Sequence, residues 1–120
     1  MSTLRLTKMH TNYVATNANQ TLLNEPCVVG DVTVSNPNTS EVWIQFFNVL
    51  TASVTVGTTV ADLSYPCAPG DGTNSLTSAV ISADSKVQFD TACIYAITTT
   101  RTGSTAPTLD VTVNGLYRKG

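Results

Sequence analysis

Charge is scarce in this sequence. Asp, Glu, Lys and Arg make up 12% of its 120 residues, about half of the ~25% usual in a soluble domain. The six basic side chains form no stripe that could neutralise a phosphate backbone, so nucleic acid is not an expected partner. Long apolar runs are missing too. Nothing approaches the ~18 residues of a membrane-crossing helix, and no membrane partner is expected. Residues 1–11 carry Arg5 and Lys8 but no apolar stretch, so they are not expected to act as a secretion signal. Histidine occurs once, as His10, and no GxSxG, HExxH or phosphate-binding glycine loop is present. Acid–base chemistry needs a base tuned near neutrality or paired carboxylates. Glu41, Asp62, Asp71, Asp84, Asp90 and Asp110 fall instead at strand ends and turns. The expectation is a protein without catalytic residues, cofactor or metal.

Cysteine is sparse and odd in number. Cys27, Cys67 and Cys93 have no CxxC spacing, and three cannot pair completely within one chain. They read as reduced, small apolar packing groups; a Cys67–Cys93 disulfide is the less favoured alternative. With His10 they are the only candidates for zinc, and none sits at ligand spacing. Asp71-Gly72-Thr73-Asn74 offers oxygens but lacks the carboxylate pattern of a calcium loop, and reads as an Asp-Gly turn.

What replaces charge is Thr, Ser and Asn alternating with Val, Ile, Leu and Tyr. That period of two is the strand signature. Strands are expected at 28–35, 41–50, 54–60 with a bend at Gly57, 63–65 ending at Pro66, 78–82, 86–90, 93–100 and 109–117. The last two read as a hairpin with a long tip, and 68–75 and 36–40 as turns rich in Gly, Pro, Asn and Asp. No apolar period of 3.6 persists over three turns, so no long helix is expected. Seven or eight short antiparallel strands at such spacing point to an all-β sandwich of jelly-roll type. Residues 1–26 show no sustained period and read as an extended N-terminal arm, with short strands at 3–8 and 13–16, preceding a sandwich domain at 27–120. The arm is either frayed or docked on a neighbouring subunit.

The strongest strand, 41–50, is apolar on both faces. Val42, Ile44 and Phe46 alternate with Trp43, Phe47 and Val49. One face then belongs to the core and the other must be covered, by a partner subunit or by a segment of the same chain. Trp43, Ile44, Phe46, Phe47 and Val49 are accordingly the candidate subunit-interface residues. Trp43 with Phe47, or Tyr65 with Tyr95, could make a sugar platform, but packing explains them better. In the loop 98–107, Gly103 permits a positive φ and Pro107 fixes the return. Arg101 is the only basic residue there and could fork onto an acidic partner surface. Thr99, Arg101, Thr102 and Ser104 are the candidate partner contacts.

One resemblance follows from these residues. The run 41–66 contains a strand, Val56-Gly57-Thr58-Thr59-Val60, Asp62-Leu63 and Pro66, and leads into a Gly-rich loop. Phe89, 92–96, Thr98 to Ser104, Ala106-Pro107 and 111–117 complete the pattern. It resembles the small β-sandwich virion proteins of tailed bacteriophages, of the head-decoration (cement) type and related head or tail modules, over residues 30–118. The resemblance implies a homotrimer seated on the major capsid protein, made in the host cytoplasm and resident on the virion surface, with no catalytic residues to carry over. A tail, baseplate or fibre module binding host glycans is the alternative. A small β-fold hydrolase or lyase is the third.

Overall fold

The computed structural model describes residues 6–82 and 84–120. Nine strands account for the fold: β1 (Lys8–Val14), β2 (Gln20–Leu23), β3 (Cys27–Asn36), β4 (Val42–Phe47), β5 (Leu63–Cys67), β6 (Leu76–Ile81), β7 (Val87–Phe89), β8 (Cys93–Thr98) and β9 (Val111–Lys119). One sheet has the order β1-β9-β3-β6, with β7 also on β3; the other runs β2-β8-β4-β5. All pairings are antiparallel.

β6 pairs with Val32–Asn36 and β7 with Cys27–Val29, so together they fill one position beside β3. Counted that way, eight strand positions arise. The first sheet holds the first, eighth, third and sixth; the second holds the second, seventh, fourth and fifth. Every connection except β4–β5, and the break between β6 and β7, crosses from sheet to sheet. This is the connectivity of a jelly roll, and the expected all-β sandwich is the observed one.

Alternation decides what lies between the sheets. Val29, Val32 and Val34 of β3, Val42, Ile44 and Phe46 of β4, Tyr95 and Ile97 of β8, and Val111 and Val113 of β9 are buried in one cluster. Phe46 is at its centre, with the rings of Phe89, Tyr65 and Tyr95 6.0, 6.1 and 6.3 Å away. Burying a ring of that size stabilises by about 1.5–3 kcal/mol. Cys27, Cys67 and Cys93 are free and buried. Burial pushes the Cys27 thiol to about 11 and the Cys67 thiol to about 12, and raises that of Cys93. All three pack as neutral thiols.

Four expectations change. Residues 8–23 are no free arm: β1 pairs with β9 along its whole length and β2 pairs with β8, so each closes one sheet. Their weak sequence period reflects their place at the edges, where one strand flank lacks a neighbour. The strand expected at 3–8 falls, for residues 3–5, outside the described residues. Residues 54–60 make no strand. After the 3-10 turn Thr51–Ser53, Thr55 O accepts from the N–H groups of Thr58 and Thr59 at 3.0 and 2.8 Å, and Gly57 takes φ +89°. β5 continues through Pro66, because β5 is an edge strand and the missing N–H is needed by no neighbour. Finally, β8 and β9 lie in different sheets, so residues 99–110 bridge the sandwich and are no hairpin tip.

Candidate functional site

The two sheets present very different outer faces. On the second sheet, Trp43, Gln45 and Phe47 of β4 point outward. Phe47 is fully buried all the same, in a satellite cluster with Ala92, Ile94 and Ala96. Val49, Val54, Val56 and Ala61 of the β4–β5 connection close over it. That connection is fastened at its end: Asp62 N–H donates to Phe46 O at 2.8 Å, and the Asp62 carboxylate accepts from Asn48 N–H at 2.6 Å. The cover for β4 is thus a segment of the same chain. Ile44 and Phe46 lie in the core and Phe47 under this loop, all three at 0% exposure, so they have no surface to offer a partner subunit. Trp43 and Val49 stay half-buried. The sugar platforms fail for the same reason. Phe47 and Tyr95 are fully buried, and Tyr65 packs edge-on against Phe46.

Residues 99–110 lie against the same loop. Ser104 packs where a side chain on Gly57 would stand, 2.9 Å from that position, so Gly57 is required by contact as well as by its φ. The Ser104 carbonyl also accepts from Asn17 Nδ2 at 2.6 Å. Thr99 N–H donates to Thr105 O at 3.0 Å, and Thr99 lines an apolar cavity of about 300 Å³ with Val42, Pro107 and Leu109. At that end Asn38 grips Leu109: Oδ1 accepts from its N–H at 2.8 Å and Nδ2 donates to its C=O at 3.2 Å. Arg101 and Thr102 are exposed on the rim of a second cavity, of about 290 Å³, whose lining includes Gln45, Thr58, Thr59 and Ser64. The four candidate partner contacts therefore separate: Arg101 and Thr102 on this rim, Thr99 in the apolar cavity, and Ser104 exposed but set against Gly57 and Asn17.

The first sheet's outer face is open over most of its width, with Leu6 and Lys86 lying against it at Gly30. Its ladder sets Tyr13, Thr112, Ser35 and Thr77 in one row, Thr11, Asn114, Thr33 and Ala79 in the next, and Met9, Leu116 and Gly30 in the third. None of these residues is charged. Hydrogen bonds tie the rows, Thr11 to Asn114 at 2.9 Å and Ser35 to Thr77 at 2.8 Å. Met9 and Tyr13 stand 80% and 68% exposed at the β1 margin. Sequence reasoning missed this face, although the alternation of β1 and β9 held the signal.

On the inner side of β1, His10 and Asn12 reach the buried Tyr95. The phenol oxygen accepts from Asn12 Nδ2 at 3.1 Å and lies 2.7 Å from His10 Nε2, to which its proton can be donated. Burial lowers the His10 pKa and raises that of Tyr95 to about 12. Burial thus favours the neutral form of His10, and its contact with Tyr95 is structural. Asp71 spends its oxygens on its own turn, accepting from Asn74 N–H, Thr73 N–H and Asn74 Nδ2 at 2.6, 2.9 and 3.1 Å. These bonds lower its pKa. Among the described residues, no three His, Cys, Asp or Glu side chains gather where they could hold a metal ion. No protein-family model matches the chain, and no curated protein or solved structure matches it either.

Proposed function

We propose that this chain is a docking protein of the bacteriophage head-decoration type, which seats the outer face of its first sheet on the major capsid protein lattice and stabilises the shell. The observation that carries the reading is the face running from Met9 and Tyr13 across β9 and β3 to Thr77 and Ala79, whose three ladder rows hold no charged residue. Burying hydroxyls and amides against complementary partners costs far less than burying unpaired ions. Charge is sparse there: Asp31 of the β3 bulge shares a shallow depression with Met9, Thr11, Thr33, Asn114 and Leu116. Lys8 and Lys119 are exposed at strand ends, and the Lys86 side chain lies against Gly30 at the edge of the third row.

Size decides how such a face would work. Strands ~4.8 Å apart and rows ~7 Å apart give four strands by three rows roughly 350 Å². A stable one-to-one interface buries about 800 Å² on each partner. One such contact is weak, and repeated seating of a homo-oligomer on a lattice supplies the avidity. The trimer of the family resemblance fits that requirement, as does residence on the virion surface.

Thr33→Arg puts a charge at the middle of the face, on a half-buried side chain pointing outward. The expected result is a folded protein that no longer co-sediments with phage heads stripped of their decoration, while Thr73→Arg in the exposed 71–74 turn binds as the parent does. Equal binding by Thr33→Arg and the parent would remove the face from the proposal. A parent that sediments as one chain and ignores the heads would remove the function.

A further inference from the structure

The cavity on the covered face has a chemistry that docking does not use. Its floor is Gln45, 1% exposed. The Gln45 amide nitrogen donates to Thr98 Oγ1 at 2.8 Å and to Gly103 O at 3.1 Å. The Thr98 hydroxyl gives its own proton to Thr100 O at 2.7 Å, and a carbonyl can only accept. Both partners therefore need a donor, which fixes the amide's orientation. Among the described residues Gln45 Oε1 accepts no hydrogen bond, and it is not one of the fully buried unpartnered atoms, so it opens onto the cavity, where a ligand donor can reach it. The Thr58 and Ser64 hydroxyls on the wall make no hydrogen bond within the chain either. Arg101 stands exposed at the mouth beside Thr102.

We propose that this cavity binds a small hydroxylated carboxylate, the chemistry of one acidic sugar residue. A ligand hydroxyl donates to Gln45 Oε1, the carboxylate forks onto the Arg101 guanidinium, and Thr58 and Ser64 take further hydroxyls. The acceptor floor sets this ligand apart from a bare phosphate or sulfate, whose oxygens would face Oε1 without a proton between them. The hydroxyl-lined wall sets it apart from an apolar ligand, which would leave those groups dry. A volume of about 290 Å³ is at the lower end for ligand pockets and suits one sugar ring.

The test is a titration of the full chain, followed by amide NMR shifts, with D-glucuronate, D-glucose and acetate as separate probes. Glucuronate is expected to shift residues 57–61 and 101–103 with a dissociation constant of about 1 mM. Arg101→Gln weakens it about tenfold, the loss of one charge-assisted fork, and leaves the weaker glucose response unchanged. Thr102→Trp fills the mouth and abolishes both. Arg101 and Thr102 are exposed, so an unfolding midpoint equal to the parent's keeps any lost binding interpretable. Acetate binding as well as glucuronate, an affinity for glucuronate unchanged in Arg101→Gln, or no shift with any probe would each overturn the site. Thr33→Arg does not touch it, so its outcome stands apart from that of the docking face.

Discussion

The two outer faces differ in what the chain itself does with them. Over the second sheet it lays two connections, 48–62 and 99–110, and so hides an apolar strand face beneath its own loops. Over the first sheet only Leu6 and Lys86 are seen to lie against it, at Gly30 of β3, and the side chains there are mainly Thr, Ser, Asn, Met and Tyr, with Asp31 at the β3 bulge. Apolar residues on the outside of a strand therefore do not identify an interface in this molecule. The sparsely charged polar face is the one left open.

Charge introduced on each face should break the comparison most sharply. Phe47→Asp places a carboxylate in a closed apolar cluster, and even Phe47→Ala removes a ring worth about 3–5 kcal/mol in a packed site. The expected outcome for Phe47→Asp is loss of cooperative unfolding in urea, or a stability lowered by at least about 4 kcal/mol. Thr33→Arg, outward on the open face, should change the same midpoint by less than about 0.5 kcal/mol. Similar effects at the two positions would mean that the faces are not covered and open as described.

That contrast also marks what was legible beforehand. Alternation from 31 to 35 set Val32 and Val34 of β3 apart from Asp31, Thr33 and Ser35, and they do face the core, because side-chain direction in a strand follows sequence parity. In β4 the same parity separated Val42, Ile44 and Phe46 from Trp43 and Phe47 and said that the outer face is covered, but both faces being apolar it did not say which is inward. It could not say whether the cover was another chain or residues 48–62, since that depends on a loop path set by the Gly57 conformation and the Asp62–Asn48 bond, both tertiary. The edge strands β1 and β2 were illegible for a related reason. Residues 8–23 pair with β9 and β8, some 70 to 110 positions later, and an edge strand with one wet flank keeps little apolar period. Gln45 gave no signal at all, because its role rests on Thr98 and Gly103 across the sheet.

Smaller changes sharpen the account of how the covering loops are held. Asn38→Ala removes the amide that grips both polar groups of Leu109 and also bonds Asn36 at 2.9 Å. Leaving the buried Asn36 oxygen and the part-buried Leu109 groups short of a partner should cost about 1–2 kcal/mol in urea denaturation. Gly57→Ala forces an L side chain to φ +89° and against Ser104, at a cost of about 1–3 kcal/mol. If the loop peels back to relieve it, Phe47 becomes exposed. Binding of a hydrophobic dye should then rise while far-UV circular dichroism stays that of the parent. Unchanged dye binding together with unchanged stability would mean that the loop does not depend on Gly57.

The smallest effect concerns the seam where the open sheet is tied to the covered one. His10 Nε2 of β1 shares a 2.7 Å hydrogen bond with the Tyr95 hydroxyl of β8, and burial holds its pKa below the ordinary value of about 6.5. In the unfolded chain His10 recovers that ordinary value, so below it the unfolded state binds more protons than the folded one. Stability from this site is complete above about pH 6.5 and drains as pH falls from there through the folded pKa. Asp71 has the same sign, its pKa being lowered by its turn, but its window opens only below about pH 3.9. The two are separable by pH alone. Urea midpoints at about pH 7 and about pH 5 should therefore differ for the parent and coincide for His10→Gln, whose amide does not titrate. A slope that survives the substitution would place the titrating group elsewhere, and with it the tie between the two sheets at this edge.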